Sequence, residues 1–280
     1  MISKIAVNKP VVIAKNVVNV HAEANTATEQ VTQAILGQPA RVLEIKENWC
    51  YVELWDRYRG WLQMRFLNPL PEAAVYPAGR SFGRISALIT DVRSEPKAAA
   101  DIVTKLVVST EVDLADESAS WLRLKLPDGS EGWVPRRDVS VVDRDCDQPR
   151  FYPASFIRQA KRMTGTPYLW GGTTPFGIDC SGFVQLIYRL HGFQLLRDAN
   201  IQATDERARG VDSRRLKKCD LVFFAGPNDV NRAKITHVGM YIGNGQFIHS
   251  AGQSIGVIIS PLYSGYYWDV FCKAVRMDFA

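Results

Sequence analysis

The first half of this chain is written twice. Val20 answers to Val92, Glu23 to Glu95, Val31-Thr32 to Val103-Thr104, Trp49 to Trp121, Leu54 to Leu126 and Gly60-Trp61 to Gly132-Trp133, always 72 positions apart and with no gap in the register. A fixed period of that length calls for two copies of one small unit in tandem. Each copy holds short runs of β-forming residues, such as ARVLEIKE and CYVELWD in the first and WLRLKL in the second. Turn signals separate them, and in LPDGS the pair Asp128-Gly129 suits a hairpin. The pattern predicts two small β-barrels, over residues 1–72 and 73–145, with most of Trp49, Trp61, Trp121 and Trp133 as core aromatics.

The segment VVDRDCDQPRFYP, two prolines amid a cluster of charges, then reads as a linker into a different unit, residues 146–280. From Pro153 the pattern changes. ASFIRQAKRMTG has the spacing and terminal Gly of a short helix, and CSGFVQLIYRLHG predicts a second, with Phe183, Leu186, Ile187 and Leu190 on one face and Gly192 after its end. NIQATDERARG is a candidate third. The runs DLVFFAG, THVGMYIG, QFIHSAG, GVIISPL and FCKAVRM that follow are strand-like. Helices followed by a run of antiparallel strands make an α+β arrangement.

Two or three domains fit into 280 residues, and a composition of 46% hydrophobic and 22% charged residues is that of an ordinary soluble globular protein. The net charge of +5 is spread over many acids and bases and gives no ground for a nucleic-acid partner. Five scattered cysteines, Cys50, Cys146, Cys180, Cys219 and Cys272, form no CxxC pair and argue against a disulfide framework or a zinc site. Lys4, Lys9, Lys15 and Pro10 break the apolar N-terminal stretch into pieces too short for a secretory signal. No run approaches the roughly 20 apolar residues of a membrane span. The expectation is a cytoplasmic protein, or an exported one if a signal has been removed.

The chemistry is concentrated where the Gly-rich loop GGTTPFGID becomes the helix that starts at Cys180. Asp179 falls at the N-cap, and the positive end of the helix dipole is expected to lower the thiol pKa. A carboxylate next to the thiol opposes that effect. A nucleophilic cysteine needs a base, and of four histidines His21 lies in the first repeat and His191 at the far end of the Cys180 helix. His237 and His249 remain, on either side of Gly243-Asn244-Gly245. A three-residue loop there would pair Gly239 with His249 and put His237 on the same face, as a diagonal neighbour. A two-residue Asn244-Gly245 turn would put the imidazoles on opposite faces unless a bulge restores the phase.

PYLWGGTTPFGIDCSGFVQLIY, DLVFF and THVGMYIGNGQFIHSAG resemble the NlpC family of papain-like cysteine peptidases, which cut peptide bonds in bacterial peptidoglycan. Residues 10–145 resemble the bacterial SH3-like domains found beside such enzymes. The resemblance implies a papain-like domain preceded by two SH3-like barrels, with Cys180 as nucleophile, His237 as base and His249 as the polar third residue. The order Cys before His disfavours the permuted acyltransferase relatives. The Cys180 N–H is a natural oxyanion donor and the Tyr168 hydroxyl a second candidate. No metal or organic cofactor is expected. Cys219 stands where relatives commonly have Gly and reads as a packed, idle thiol.

In the members with SH3-like domains, the resemblance implies that the acid before the cysteine binds the free ammonium of an N-terminal L-alanine, helped by the serine after it. Asp179 and Ser181 match. An ammonium would then neutralise Asp179 when the thiolate is needed. Tyr58 and Glu29 match a tyrosine and a glutamate of the first SH3-like domain that close the site. Ala199 replaces a serine found in some relatives. The second repeat has Ser130-Glu131 before its Gly-Trp, lacks the tyrosine, and reads as a spacer. The implied reaction is hydrolysis of the γ-D-glutamyl-diamino acid bond in L-Ala-γ-D-Glu-diamino acid stem peptides during cytoplasmic muropeptide recycling. The alternatives are an exported hydrolase of intact wall and a wall-binding module with an inactive catalytic domain.

Overall fold

A computed structural model of the protein describes residues 5–145, 149–226, 228–229, 231–232 and 234–279. The chain divides into two compact units, Met1–Gln148 and Pro149–Ala280. Cys146 and the adjoining Asp147 and Gln148 of the linker segment lie outside the described residues.

The first unit contains two seven-stranded antiparallel sheets, Pro10–Ile13 to Leu67–Pro69 and Ser81–Ile85 to Val139–Asp143, with one topology. Numbered along each copy, the strands lie side by side in the order third, second, sixth, fifth, fourth, first, seventh. The register repeats as well: Trp49 faces Gln63 as Trp121 faces Pro135, and Val52 faces Gly60 as Leu124 faces Gly132. The repeated glycine has a steric cause. A Cβ on Gly60 would stand 2.6 Å from Val20 Cγ1, and one on Gly132 would stand 2.4 Å from Val92 Cγ1.

Two sequence expectations are corrected here. Among the described residues no pairing joins the two end strands of either sheet, so neither copy is the closed barrel expected. In the first copy the last strand is only Leu67-Asn68-Pro69, and Pro69 has no N–H with which to extend the ladder. Of the four tryptophans only Trp49 is buried; Trp61, Trp121 and Trp133 are half-buried. Strand alternation explains two of them. Leu62 and Val134 point into the cores, so Trp61 and Trp133 point away, Trp61 against Tyr51 at 5.3 Å and Trp133 under the Arg123 guanidinium at 5.7 Å.

The copies also differ in their grooves. A groove of about 280 Å³ in the first is bordered by His21, Trp49 and Phe66, among others, and each of its lining residues has a counterpart 72 positions on that lines a groove of about 860 Å³ in the second. There Arg93, Trp121 and Asp138 take those three places. The copies also pack on one another. Leu36 of the first belongs to the core of the second, beside Ile85, Val92, Leu106 and Leu124, and Asn68 Nδ2 donates to the Pro127 carbonyl at 3.0 Å.

The second unit is a six-stranded antiparallel sheet in the order Ala208–Val211, Phe271–Met277, Leu221–Ala225, Ile235–Gly243, Gln246–Ser250, Val257–Pro261. Helices α1 (Pro153–Arg162) and α2 (Cys180–Arg189) precede it, and α2 packs on the two adjacent strands that carry His237 and His249, the fourth and fifth in that order. Every residue of α2 from Cys180 to Tyr188 is buried, so its apolar character covers all sides rather than the single face expected. The candidate third helix is a single turn, Ala199–Gln202, and Ala208–Val211 is already strand. Between them the Asp205 carboxylate accepts from its own loop, at the Arg207 N–H and guanidinium, which favours a turn over more helix. No helix among the described residues is long and apolar enough to cross a membrane.

Candidate active site

Asp179 caps α2 with extended backbone (φ −88°, ψ 179°), and its Oδ1 accepts from the Gly182 N–H at 2.7 Å. Gly182 lets the loop pass directly over the helix start, since a Cβ there would lie 2.3 Å from the Gly172 carbonyl oxygen. That loop supplies the Gly171 N–H to Asp179 Oδ2 at 3.0 Å. The largest partner was not visible in the sequence pattern. Arg197 grips both carboxylate oxygens, Nη1 to Oδ1 at 3.0 Å and Nη2 to Oδ2 at 2.5 Å, and also donates to Ser181 Oγ at 2.8 Å. Both charged side chains are buried, Arg197 at 2% and Asp179 at 9% exposure. Arg197 thus supplies part of the compensating charge within the fold itself.

The Cys180 sulfur lies against the main-chain N–H groups of Val238 and Ser181, which brings it to the strand position next to His237. The expected fall in thiol pKa is reversed. Burial, followed by the Asp179 charge, pushes the Cys180 thiol up to about 12, against the opposing pull of the Val238 N–H, Arg197 and the Ser181 N–H. Loss of solvent outweighs the N–H groups and the guanidinium. As the first residue of α2, Cys180 also presents a main-chain N–H that the helix itself cannot satisfy.

The turn before His249 is the two-residue Asn244-Gly245 loop, with Gly243 opposite Gln246. The register then slips, so that Tyr241 faces Phe247 and Met240 faces Ile248. Three successive positive φ angles, 98° at Gly243, 53° at Asn244 and 69° at Gly245, accommodate the bulge. The phase is thus restored, and His237 Nε2 lies 2.7 Å from His249 Nδ1. Gly239 keeps this strand close to the next, because a Cβ there would meet the Phe247 ring at 2.5 Å and the His249 Cβ at 3.0 Å. His249 is fully buried, and its Nε2 lies 3.0 Å from Ser260 Oγ on the edge strand Val257–Pro261. Phe224, Phe247 and Tyr267 surround the two rings. Burial takes the His237 imidazole down to about 4, with Asp179 pulling the other way. Burial, together with neighbouring His237, takes His249 to about 2. Burial thus favours the neutral form of both the thiol and the imidazoles.

Tyr168 is half-buried, and burial, Cys180 and Asp179 all hold its hydroxyl above the usual range, which places the phenol in the electrostatic field of the thiol. Ser181, at the second position of α2, donates to Asp179 Oδ1 at 3.2 Å. Glu29 and Tyr58 belong to the first unit, Glu29 exposed just before the strand Gln30–Ile35 and Tyr58 half-buried in the turn before Arg59–Gln63. Ala199 is buried at the start of its helical turn. Cys219 is buried and has φ of +75°, the left-handed region that glycine occupies most easily, which explains glycine in relatives. Burial pushes its thiol up to about 12. His21 meets Trp49 edge-on at 5.9 Å and His191 stacks on Phe156 at 3.8 Å, so both have packing roles. Sequence reasoning missed Arg197 and Ser260. The motif LLRDANIQ holds the first, but its partner lies 18 residues earlier and only the fold joins them.

Residues 165–276 match the NlpC/P60 family, residues 20–67 the bacterial dipeptidyl-peptidase SH3 domain, and residues 86–140 the bacterial SH3 domain. A gamma-D-glutamyl-L-lysine dipeptidyl-peptidase of Bacillus cereus is 31% identical over 89% of this chain and 76% of its own length. Dipeptidyl-peptidase 6 of Lysinibacillus sphaericus is 28% identical over 85% of this chain and 87% of its own. The crystal structure of an NlpC/P60 family protein from Bacillus cereus superposes with a TM-score of 0.85 at 25% identity, covering 96% of this chain and 99% of that one. A chain with a buried cysteine at a helix start, beside paired histidines on an antiparallel sheet, and with this extent of similarity, belongs to the NlpC/P60 family. Within that family it is one of the members that carry bacterial SH3 domains ahead of the cysteine-bearing domain.

Proposed function

We propose that the protein is a cysteine peptidase that hydrolyses the γ-D-glutamyl-diamino acid bond of peptidoglycan stem peptides whose N-terminal L-alanine is free. The observation that carries this reading is the placement of the Cys180 sulfur at the Val238 N–H, next to a His237 whose Nε2 is already engaged by His249. The other ring nitrogen, Nδ1, is the one left for the thiol. The name of the Bacillus cereus relative supports the choice of bond.

His237 takes the Cys180 proton on Nδ1 as the sulfur attacks the carbonyl carbon, so thiolate is generated only during the attack. The Cys180 N–H and the Tyr168 hydroxyl receive the oxyanion. The C–N bond breaks as His237 returns the proton to the leaving amine, and a thioester remains. His237 then takes a proton from water, hydroxide adds to the thioester carbonyl, and breaking the C–S bond returns the proton to the thiol.

Arg197 already balances part of the Asp179 charge, and the ammonium of the substrate is assigned to Asp179 together with Ser181. Ser181 Oγ, which accepts from Arg197, has a second lone pair available for the amine. Asp179 also holds Arg197 and Ser181 in place. Recognition of a free amine restricts the substrate to peptides already released from glycan, so the proposed place of action is the cytoplasm, in wall recycling.

The test offers the protein L-Ala-γ-D-Glu-diaminopimelate with its amine free, the same peptide acetylated, and whole sacculi. Cleavage of the free peptide alone is expected, together with its loss in Cys180→Ala. Equal cleavage of the acetylated peptide would remove the amine requirement, and cleavage of sacculi alone would establish a wall hydrolase instead.

A further inference from the structure

The geometry points to Ser260 as the positioning residue that selects the working tautomer of the histidine pair; this rests on the peptidase reading of Cys180 and His237. His237 Nε2, His249 Nδ1, His249 Nε2 and Ser260 Oγ form one line, with contacts of 2.7 and 3.0 Å. Two neutral imidazoles can share that line in two ways. In one, His237 carries its proton on Nε2 and donates to His249 Nδ1. Its Nδ1 is then a lone pair, able to take the Cys180 proton, and His249 must carry its own proton on Nε2. In the other, His249 donates from Nδ1, His237 carries its proton on Nδ1, and the base is blocked.

The working arrangement thus places an N–H at the innermost end of the line, on a ring with 0% exposure. An N–H without an acceptor there carries the full cost of desolvation. In that arrangement Ser260 Oγ, 3.0 Å away on a residue 6% exposed, is the acceptor. The need increases during reaction: once His237 has taken the thiol proton, both its nitrogens are donors, and His249 can only accept at Nδ1 and donate at Nε2. Around the line stand Phe224 and Phe247, whose side chains have no lone pair to offer, and Tyr267, whose ring meets His249 edge-on at 4.7 Å. Of the charged groups, Asp179 acts on His237, and His237 acts in turn on His249.

The decisive measurement is the nitrogen-15 spectrum of the imidazoles, which distinguishes Nδ1–H from Nε2–H and requires no substrate. Both rings are expected as Nε2–H in the full-length wild type and in Ser260→Thr, which keeps the hydroxyl. In Ser260→Ala, His249 is expected to shift toward Nδ1–H. With L-Ala-γ-D-Glu-diaminopimelate as substrate, kcat should fall about tenfold or more in Ser260→Ala, with little change in KM, and recover in Ser260→Thr. An Nδ1–H form of His249 in the wild type, an unaltered spectrum in Ser260→Ala, or a loss that threonine does not restore would each overturn the inference. A wild type that cleaves no peptide, or a Cys180→Ala variant that still does, would instead refute the peptidase reading, and the spectra would still decide the role of Ser260.

Discussion

Arg197 illustrates how one side chain can decide the fate of another. The Asp179 carboxylate receives Gly171, Gly182, Ser181 and two guanidinium nitrogens, more donors than its roughly four lone-pair sites can serve ideally. Removing Arg197 alone would leave that charge buried, and Arg197→Met is expected to cost about 3–5 kcal/mol in urea unfolding. Replacing both partners, in Asp179→Leu/Arg197→Met, should recover much of the loss in stability while leaving α2 uncapped and the enzyme inactive. The histidines set a second expectation, for acid. Their pKa values lie below the ordinary 6.5 of histidine, at about 4 for His237 and about 2 for His249. Below pH 6.5 the unfolded chain therefore binds protons that the folded one refuses, and stability present above that pH is lost progressively on acidification. The melting temperature should fall between pH 7 and pH 5, with a shallower fall in His249→Asn. Cys180 contributes at the other end, because its raised pKa means stability is lost as pH rises above about 9.

At the scale of elements, the start of α2 and the loop above it act as one piece. Gly182→Ala would drive a methyl group into the Gly172 carbonyl, backbone against backbone, with no flexible side chain to yield. The loop must move, taking the Gly171 N–H away from Asp179. Activity should fall more than tenfold and stability by roughly 1–3 kcal/mol, measured by peptide cleavage and thermal unfolding of the same sample. Much of this piece was legible in the sequence. An Asp before a helix that follows a glycine-rich loop is a local signal, and the cap forms as expected. The histidine pair was legible only up to the parity of its turn, because a bulge costs one residue and leaves no mark in the hydrophobic pattern. Arg197 and Ser260 gave no local signal at all, and neither did the reversal of the thiol pKa, since burial is a property of the packed chain. The third helix failed for the opposite reason. Its local pattern was helical, but the turn formed by Asp205 and Arg207 and the pairing of Ala208–Val211 with Phe271–Met277 replaced it.

For the molecule as a whole, the repeat read first in the sequence has an energetic side. Leu36, 3% exposed, is contributed by one copy to the core of the other, and a Cβ on neighbouring Gly37 would come within 2.4 Å of the Glu111 carbonyl oxygen. Leu36→Ala is therefore expected to cost about 2–5 kcal/mol and to lower both copies in a single transition, followed by the fluorescence of Trp49 and Trp121 separately in single-tryptophan variants of residues 1–148. Two uncoupled transitions would show that the copies stand independently. What they share is a skeleton of strand order, register and glycine contacts that runs through the groove wall itself, and single positions vary within it: Phe66 in one copy is Asp138 in the other without any change of topology. The exchange brings a bond of its own, because Thr90 Oγ donates to Asp138 at 2.8 Å where the first copy has Val18 and Phe66.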